Sequence, residues 1–201
     1  MNISNFIEEY KIPKNICDNF ISYHKKNKEY KRKGTIKNDV IDLKEKDSTD
    51  VFFYNESKQD FIINFFKLLG TFVTHYMNKY EIKGLLHSAQ SHKIQHYKKN
   101  KGYFKQHYEK FNLQEVNREL VYMLYCNNVK NGGTNFPFQN IKTECNKGSL
   151  IIWPAFFTHP HHGIISKNKE KYIVTGWFLV KRIYLIIIGI FNLQFLSEYV
   201  I

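Results

Sequence analysis

The chain has 201 residues, 43% of them hydrophobic and 24% charged, and a net charge of +12. That length suits one compact domain with a sizeable core. The positive balance invites a nucleic-acid partner, but only Arg32, Arg118 and Arg182 are arginines. The lysines are scattered among Asn, Ile and Tyr rather than gathered into a stripe of bidentate donors, so a solvated surface is the preferred reading and nucleic acid is not expected.

Residues Met1 to Lys14 carry Glu8 and Glu9 and no long apolar run, unlike a signal peptide. After Pro13, Ile16, Phe20, Ile21 and Tyr23 predict a short amphipathic helix over Asn15 to Lys26. The lysine-rich stretch from Lys25 to Lys33 reads as an exposed connection, and Val51 to Tyr54 as a short strand. Phe61, Phe65, Leu68, Leu69, Phe72 and Tyr76 recur at helical spacing and predict the strongest helix, Asp60 to Tyr80.

Beyond Gly84 the pattern turns to strands. Lys93 to Tyr97, Tyr103 to Tyr108, Glu119 to Cys126, Ser149 to Trp153 and Lys171 to Val180 are short runs. They are separated by the turn signals Asn100-Lys101-Gly102, Asn131-Gly132-Gly133 and Asn146-Lys147-Gly148. Helices followed by strands predict an α+β fold with an antiparallel sandwich or barrel. The C-terminal run Ile183 to Phe191 is apolar but too short for a spanning helix, which needs about 20 residues. A last strand and a helix packed on the sheet are expected there, with a weak membrane anchor as the alternative. Cys17, Cys126 and Cys145 are an odd set without paired spacing, so a reducing cytoplasmic setting is expected rather than disulfides or a thiolate zinc site.

The chemistry gathers around histidines. His107-Tyr108-Glu109 is followed by Thr158-His159-Pro160-His161-His162-Gly163, and Lys171 stands ten positions after His161. Two imidazoles and one carboxylate on one face of a metal leave three positions open, the ligand set of non-haem Fe(II) oxygenases. On a strand from Tyr103, His107 and Glu109 would share a face. His159 and His161 would also share one if their segment is extended, leaving both as candidates for the third ligand. A zinc hydrolase could use the same ligand types, although no H-E-x-x-H helix supplies its base. A non-enzymatic lysine-rich binding protein with a degenerate fold is the alternative from another class. His24, His75, His87, His92 and His96 lack any partner pattern and read as ordinary surface or core residues, and Tyr122 and Tyr125 as packing.

In order along the chain stand Tyr97…Gly102-Tyr103…His107-x-Glu109, Tyr122-Met123-Leu124-Tyr125-Cys126-Asn127, Gly132-Gly133-Thr134-x-Phe136, Lys147-Gly148-Ser149-Leu150-Ile151-Ile152-Trp153-Pro154 and Lys171-Tyr172-x-x-x-Gly176-Trp177. From about Lys93 to Phe178 the chain thus resembles the prolyl-4-hydroxylase-like 2-oxoglutarate/Fe(II) oxygenases, especially their small phage and bacterial members. The resemblance implies a double-stranded β-helix, or jelly roll, with N-terminal flanking helices. It implies a single oxygenase domain: a helical flank over 1–90, a core over 91–180 and an apolar segment over 181–201. It also implies Fe(II) held by His107, Glu109 and His161, since the family's distal histidine precedes its cosubstrate-binding Lys or Arg by ten residues; His159 is the understudy. Lys171 would then pair with the distal carboxylate of 2-oxoglutarate, with Tyr97 and Thr134 bonding nearby. The implied reaction hydroxylates an unidentified substrate, a prolyl or other peptide side chain among the candidates, and releases succinate and CO2. The family's usual carboxylate is Asp; Glu109 is one methylene longer and can still bind through one oxygen.

Overall fold

The computed structural model describes residues 5–36, 39–110, 112 and 115–180. The strands are β1 Glu8–Lys11, β2 Arg32–Lys33, β3 Thr49–Tyr54, β4 Leu86–Ser88, β5 Ser91–Tyr97, β6 Arg118–Tyr125, β7 Thr134–Phe136, β8 Ile141–Lys142, β9 Ser149–Pro154, β10 His162–Gly163 and β11 Lys171–Val180. The helices are α1 Lys14–Lys26 and α2 Asp60–Lys79. Eight strands form an antiparallel sheet in the order β1-β9-β6-β11-β5-β3-β2, with β4 paired to β11; β10-β7-β8 form a smaller antiparallel sheet.

Several strands are buried on both faces, and their alternation divides the interior in two. On β6, Leu120, Tyr122 and Leu124 join one apolar cluster, while Val121, Met123 and Tyr125 join another. Leu150 and Ile152 against Ile151 and Trp153 repeat this on β9. The first cluster is closed by the helices. Pro13 starts α1 with a φ of −53°, and Ile16, Cys17, Phe20 and His24 make its buried stripe. On α2 the buried stripe is Ile62, Phe65, Leu69, Val73 and Tyr76. It is rotated from the predicted set, so that Phe61, Leu68 and Phe72 flank it only partly buried. The helix thus turns its aliphatic and aromatic residues alike toward the sheet.

Two expectations are corrected. Tyr103 to Tyr108 is not a strand: only Tyr103 and His107 make single antiparallel bridges, to Lys46 and His161. The segment before residue 90 is not purely helical. It supplies β1 to β4, and β1 completes one edge of the sheet by pairing Glu8 to Lys11 with Ile152 to Ser149. Short strands such as β4 and β10 carry too few residues to show a period. The apolar C-terminal segment expected to form a last strand and helix, or a weak anchor, lies outside the described residues. Among those described, no helix is long and apolar enough to cross a membrane.

Gly176, on β11, lets the helix side of the sheet close. A Cβ there would sit 2.2 Å from His92 Nδ1 and 2.6 Å from the Tyr122 hydroxyl. Those two groups bond each other at 2.7 Å in the buried layer. Gly176→Ala should therefore cost about 2 kcal/mol or more. Gly70→Ala, inside α2 with nothing within 4 Å of the new methyl, should instead stabilise by about 0.5–1 kcal/mol. Urea midpoints of the two variants check this; equal midpoints would mean that the β11 layer is loosely packed.

Candidate metal and cosubstrate site

His107 and His161 are brought together by the backbone before their side chains meet. They exchange both amide bonds, His107 N to His161 O at 3.0 Å and His161 N to His107 O at 2.8 Å. Residues opposed in this way project their side chains to the same side, and the two ring centroids lie 4.5 Å apart. Glu109 follows, its amide donating to Ala155 O at 3.1 Å. Its Oε1 lies 3.5 Å from His107 Nε2 and 3.6 Å from His161 Nε2. One donor atom from each residue falls within 4.8 Å of the other two, a spacing that could hold a metal ion.

The ring orientations show what the group can bind. His107 Nδ1 donates to Lys105 O at 2.9 Å, and His161 Nδ1 to His159 O at 3.0 Å. A ring nitrogen facing a carbonyl must carry the proton in a neutral imidazole, so both Nε2 atoms turn lone pairs toward the carboxylate. Burial pushes His107 below its ordinary value, with His161 adding to the effect, which keeps the ring neutral. Burial raises the Glu109 carboxyl, but hydrogen bonds and charge from the His107 and His161 rings, when these are protonated, outweigh it and hold it well below the usual range; a cation between the three would take the place of those ring protons. Neutral imidazoles and an ionised carboxylate are the protonation states that a divalent metal requires. Three acceptors thus converge, and a cation between them would satisfy all three.

Glu109 is oriented from its other side. Trp177 Nε1 donates to Oε2 at 3.1 Å. The Arg118 guanidinium lies 3.6 Å from Oε2, donates to Glu109 O at 3.1 Å, and stacks 3.9 Å over the Trp177 ring. The Tyr103 ring stacks on His107 with centroids 3.6 Å apart and 15° between planes. Such outer contacts fix ligand orientation and tune basicity. Arg118 lies outside every motif of the sequence, and Trp177 stands in one without an expected contact to Glu109. The period of β11 could have signalled the second, because Lys171, Ile173, Thr175 and Trp177 alternate onto one face.

All three ligating candidates line a cavity of about 600 Å³, together with Tyr97, Thr134 and Lys171. Lys171 is 4% exposed and pairs in register with Tyr97. Its Nζ donates to Gly132 O at 2.8 Å and Ile164 O at 3.1 Å, and lies 5.6 Å from the Tyr97 ring centroid. Burial pushes this ammonium down to about 8. The Tyr97 hydroxyl donates to Gln95 Oε1 at 2.5 Å, and Thr134 Oγ1 lies 2.8 Å from the Tyr125 hydroxyl. His159 sits elsewhere. Its Nε2 meets Asn5 O at 3.0 Å and its Nδ1 meets Thr158 Oγ1 at 2.9 Å, after a turn that breaks the extended run it would need to share a face with His161.

Residues 92–179 match the family model of the 2OG-Fe(II) oxygenase superfamily. The matched stretch takes in His107, Glu109, His161 and Lys171. The chain also resembles solved structures over most of its length. A viral collagen prolyl hydroxylase from Paramecium bursaria Chlorella virus-1, solved with 2-oxoglutarate, aligns at a TM-score of 0.69 with 18% identity, covering 89% of this chain and 98% of that one. A Pseudomonas putida prolyl-4-hydroxylase aligns at 0.66 with 12% identity over 87% and 92% of the two chains. A Trichoplax adhaerens prolyl hydroxylase, solved with a peptide fragment of hypoxia inducible factor, aligns at 0.72 with 12% identity over 88% and 84%. No curated protein sequence matches. The antiparallel sheets, with their two helices, are consistent with the oxygenase jelly roll. The match implies Fe(II) and 2-oxoglutarate, and the His107, Glu109 and His161 group fits an iron site.

Proposed function

We propose that His107, Glu109 and His161 hold the Fe(II), that Lys171 receives the distal carboxylate of 2-oxoglutarate with Tyr97 and Thr134 beside it, and that the hydroxylated group is a prolyl or other peptide side chain. The observation that carries this is the convergence of two Nε2 atoms and Glu109 Oε1 in the cavity that also holds a buried lysine resting on two backbone carbonyls. When bound, Fe(II) and 2-oxoglutarate supply oxygen activation coupled to decarboxylation to succinate.

The protein's part is positional. Two of the three protons on Lys171 Nζ go to backbone carbonyls, leaving one for a carboxylate in the cavity. Burial raises the Tyr97 phenol well above its ordinary value, so it remains a donor. The peptide substrate class is supported by the fold shared with three prolyl hydroxylases, one solved with a bound peptide. The chain is read as one oxygenase domain, a double-stranded β-helix with α1 and α2 as its flank. A reducing, cytoplasmic setting fits three buried thiols that form no disulfide.

The test is 2-oxoglutarate-dependent succinate release by protein loaded with Fe(II), scored against proline-containing peptides. His161→Ala should lose turnover. His159→Ala should keep most of it and give up about 1 kcal/mol of stability through the lost bond to Asn5. A dead His159→Ala beside an active His161→Ala would reverse the ligand assignment.

A further inference from the structure

Among the described residues, the cationic side chains that line the cavity are Lys46, Lys93, Arg118 and Lys171. Three of them are occupied. Lys171 rests on two carbonyls, Lys46 lies 3.4 Å from Asp50, and Arg118 pairs with Glu109 and Glu115. The Lys93 ammonium has neither a hydrogen bond nor an ion pair among the described residues. Its neighbours are ring faces, Phe52 at 5.4 Å and Trp177 at 5.9 Å.

Its position along the strand is informative. Lys93, Gln95 and Tyr97 alternate onto the cavity face of β5, while Ile94 goes to the helix-side core. Tyr97 pairs with Lys171, and Lys93 pairs with Thr175, one alternate position from Trp177. Four residues of strand separate the row's ends by about 13 Å. One end carries the cation assigned to the cosubstrate. The other carries Lys93, one indole ring away from Glu109.

We propose that Lys93 is a specificity-determining residue that takes a carboxylate of the primary substrate, an acidic side chain close to the hydroxylated residue of a peptide. The reading rests on the site assignment under Proposed function. A half-buried ammonium held between rings gives up hydration with no acid bonded to it among the described residues, Asp50 and Glu109 acting on it only through space, and burial lowers it from its ordinary value. Two aromatic faces compensate only in part. A carboxylate entering with the substrate would supply a charge-assisted bond that no described residue provides. A carboxylate could also come from a free amino acid, so the test separates the two sources.

Short peptides of one length, centred on proline and flanked by Glu, Gln or Lys, would be compared in Fe(II)-loaded protein, with free L-proline and its amide alongside. The Glu-flanked peptide should exceed its Gln twin by roughly tenfold in kcat/KM for succinate release. Lys93→Gln should erase that ratio, and Lys93→Glu should invert it in favour of the Lys-flanked peptide. Inversion requires a folded enzyme, so unfolding cannot imitate it. A preference for proline over its amide that Lys93→Gln removes, with the three peptides equal, would support the carboxylate contact and overturn its peptide source. The inference is overturned if neither comparison shows a charge preference, if the preference survives in Lys93→Gln, or if no probe raises succinate release above background. Wild-type protein that forms no visible-absorbing complex with Fe(II) and 2-oxoglutarate would instead overturn the site assignment.

Discussion

Glu109→Ala should abolish Fe(II)-dependent succinate release and leave the fold standing. The carboxylate is the only anionic member of the proposed ligand group, and without it two neutral imidazoles face an open side. Losing contacts around a ligand costs about 10–100-fold in metal affinity, and losing a ligand itself should cost at least that much. The fold survives because the partners of Glu109 have other anchors: Arg118 keeps Glu115 at 2.8 Å and the stacked Trp177 ring, and the His107 and His161 backbones keep their mutual bonds. Trp177 Nε1 is left without its acceptor, a cost of about 1–3 kcal/mol if no water replaces it. Metal content after dialysis against Fe(II), measured beside a urea melt, separates the two effects. Wild-type iron content in the alanine variant would remove Glu109 from the ligand set.

Lys171→Ala should behave in the opposite way, retaining iron while raising the 2-oxoglutarate requirement by roughly a hundredfold or more. The lysine touches Gly132 and Ile164 carbonyls and none of the three proposed ligands. A cosubstrate carboxylate left unpaired in a closed pocket costs several kcal/mol. The pH dependence has a definite sign. The free protein holds this ammonium near 8, lowered by burial, so the charged form dominates below that pH. Above it the lysine must regain a proton to bind a dianion, and the apparent Kd for 2-oxoglutarate should rise about tenfold per pH unit. In Lys171→Ala that slope should vanish. A 2-oxoglutarate dependence unchanged by the substitution would place the cosubstrate elsewhere.

Local patterning determined much by itself. Helical spacing marked Asp60 to Tyr80, and doubly buried apolar runs marked β6, β9 and β11, because each element carries its period within a dozen residues or so. The residue types of the centre were also legible: H-x-E, a histidine-rich run and one lysine ten residues beyond His161. What lay outside that reach is non-local. The pairing of Glu8 to Lys11 with β9 joins segments far apart in the chain and has no local signature. The bridge that sets His161, rather than His159, opposite His107 is made by backbone amides from two irregular segments, which side-chain identity does not encode. The grip of Trp177 and Arg118 on Glu109 needs β11 and β6 side by side, in the register that sets Trp177 against Val121 and places Arg118 beside the indole. Motif spacing named the donors because ligation is a property of residue type. Their common point in space, and the lysine left unpaired beside it, were decided only by packing, which sums contacts among residues distant in sequence.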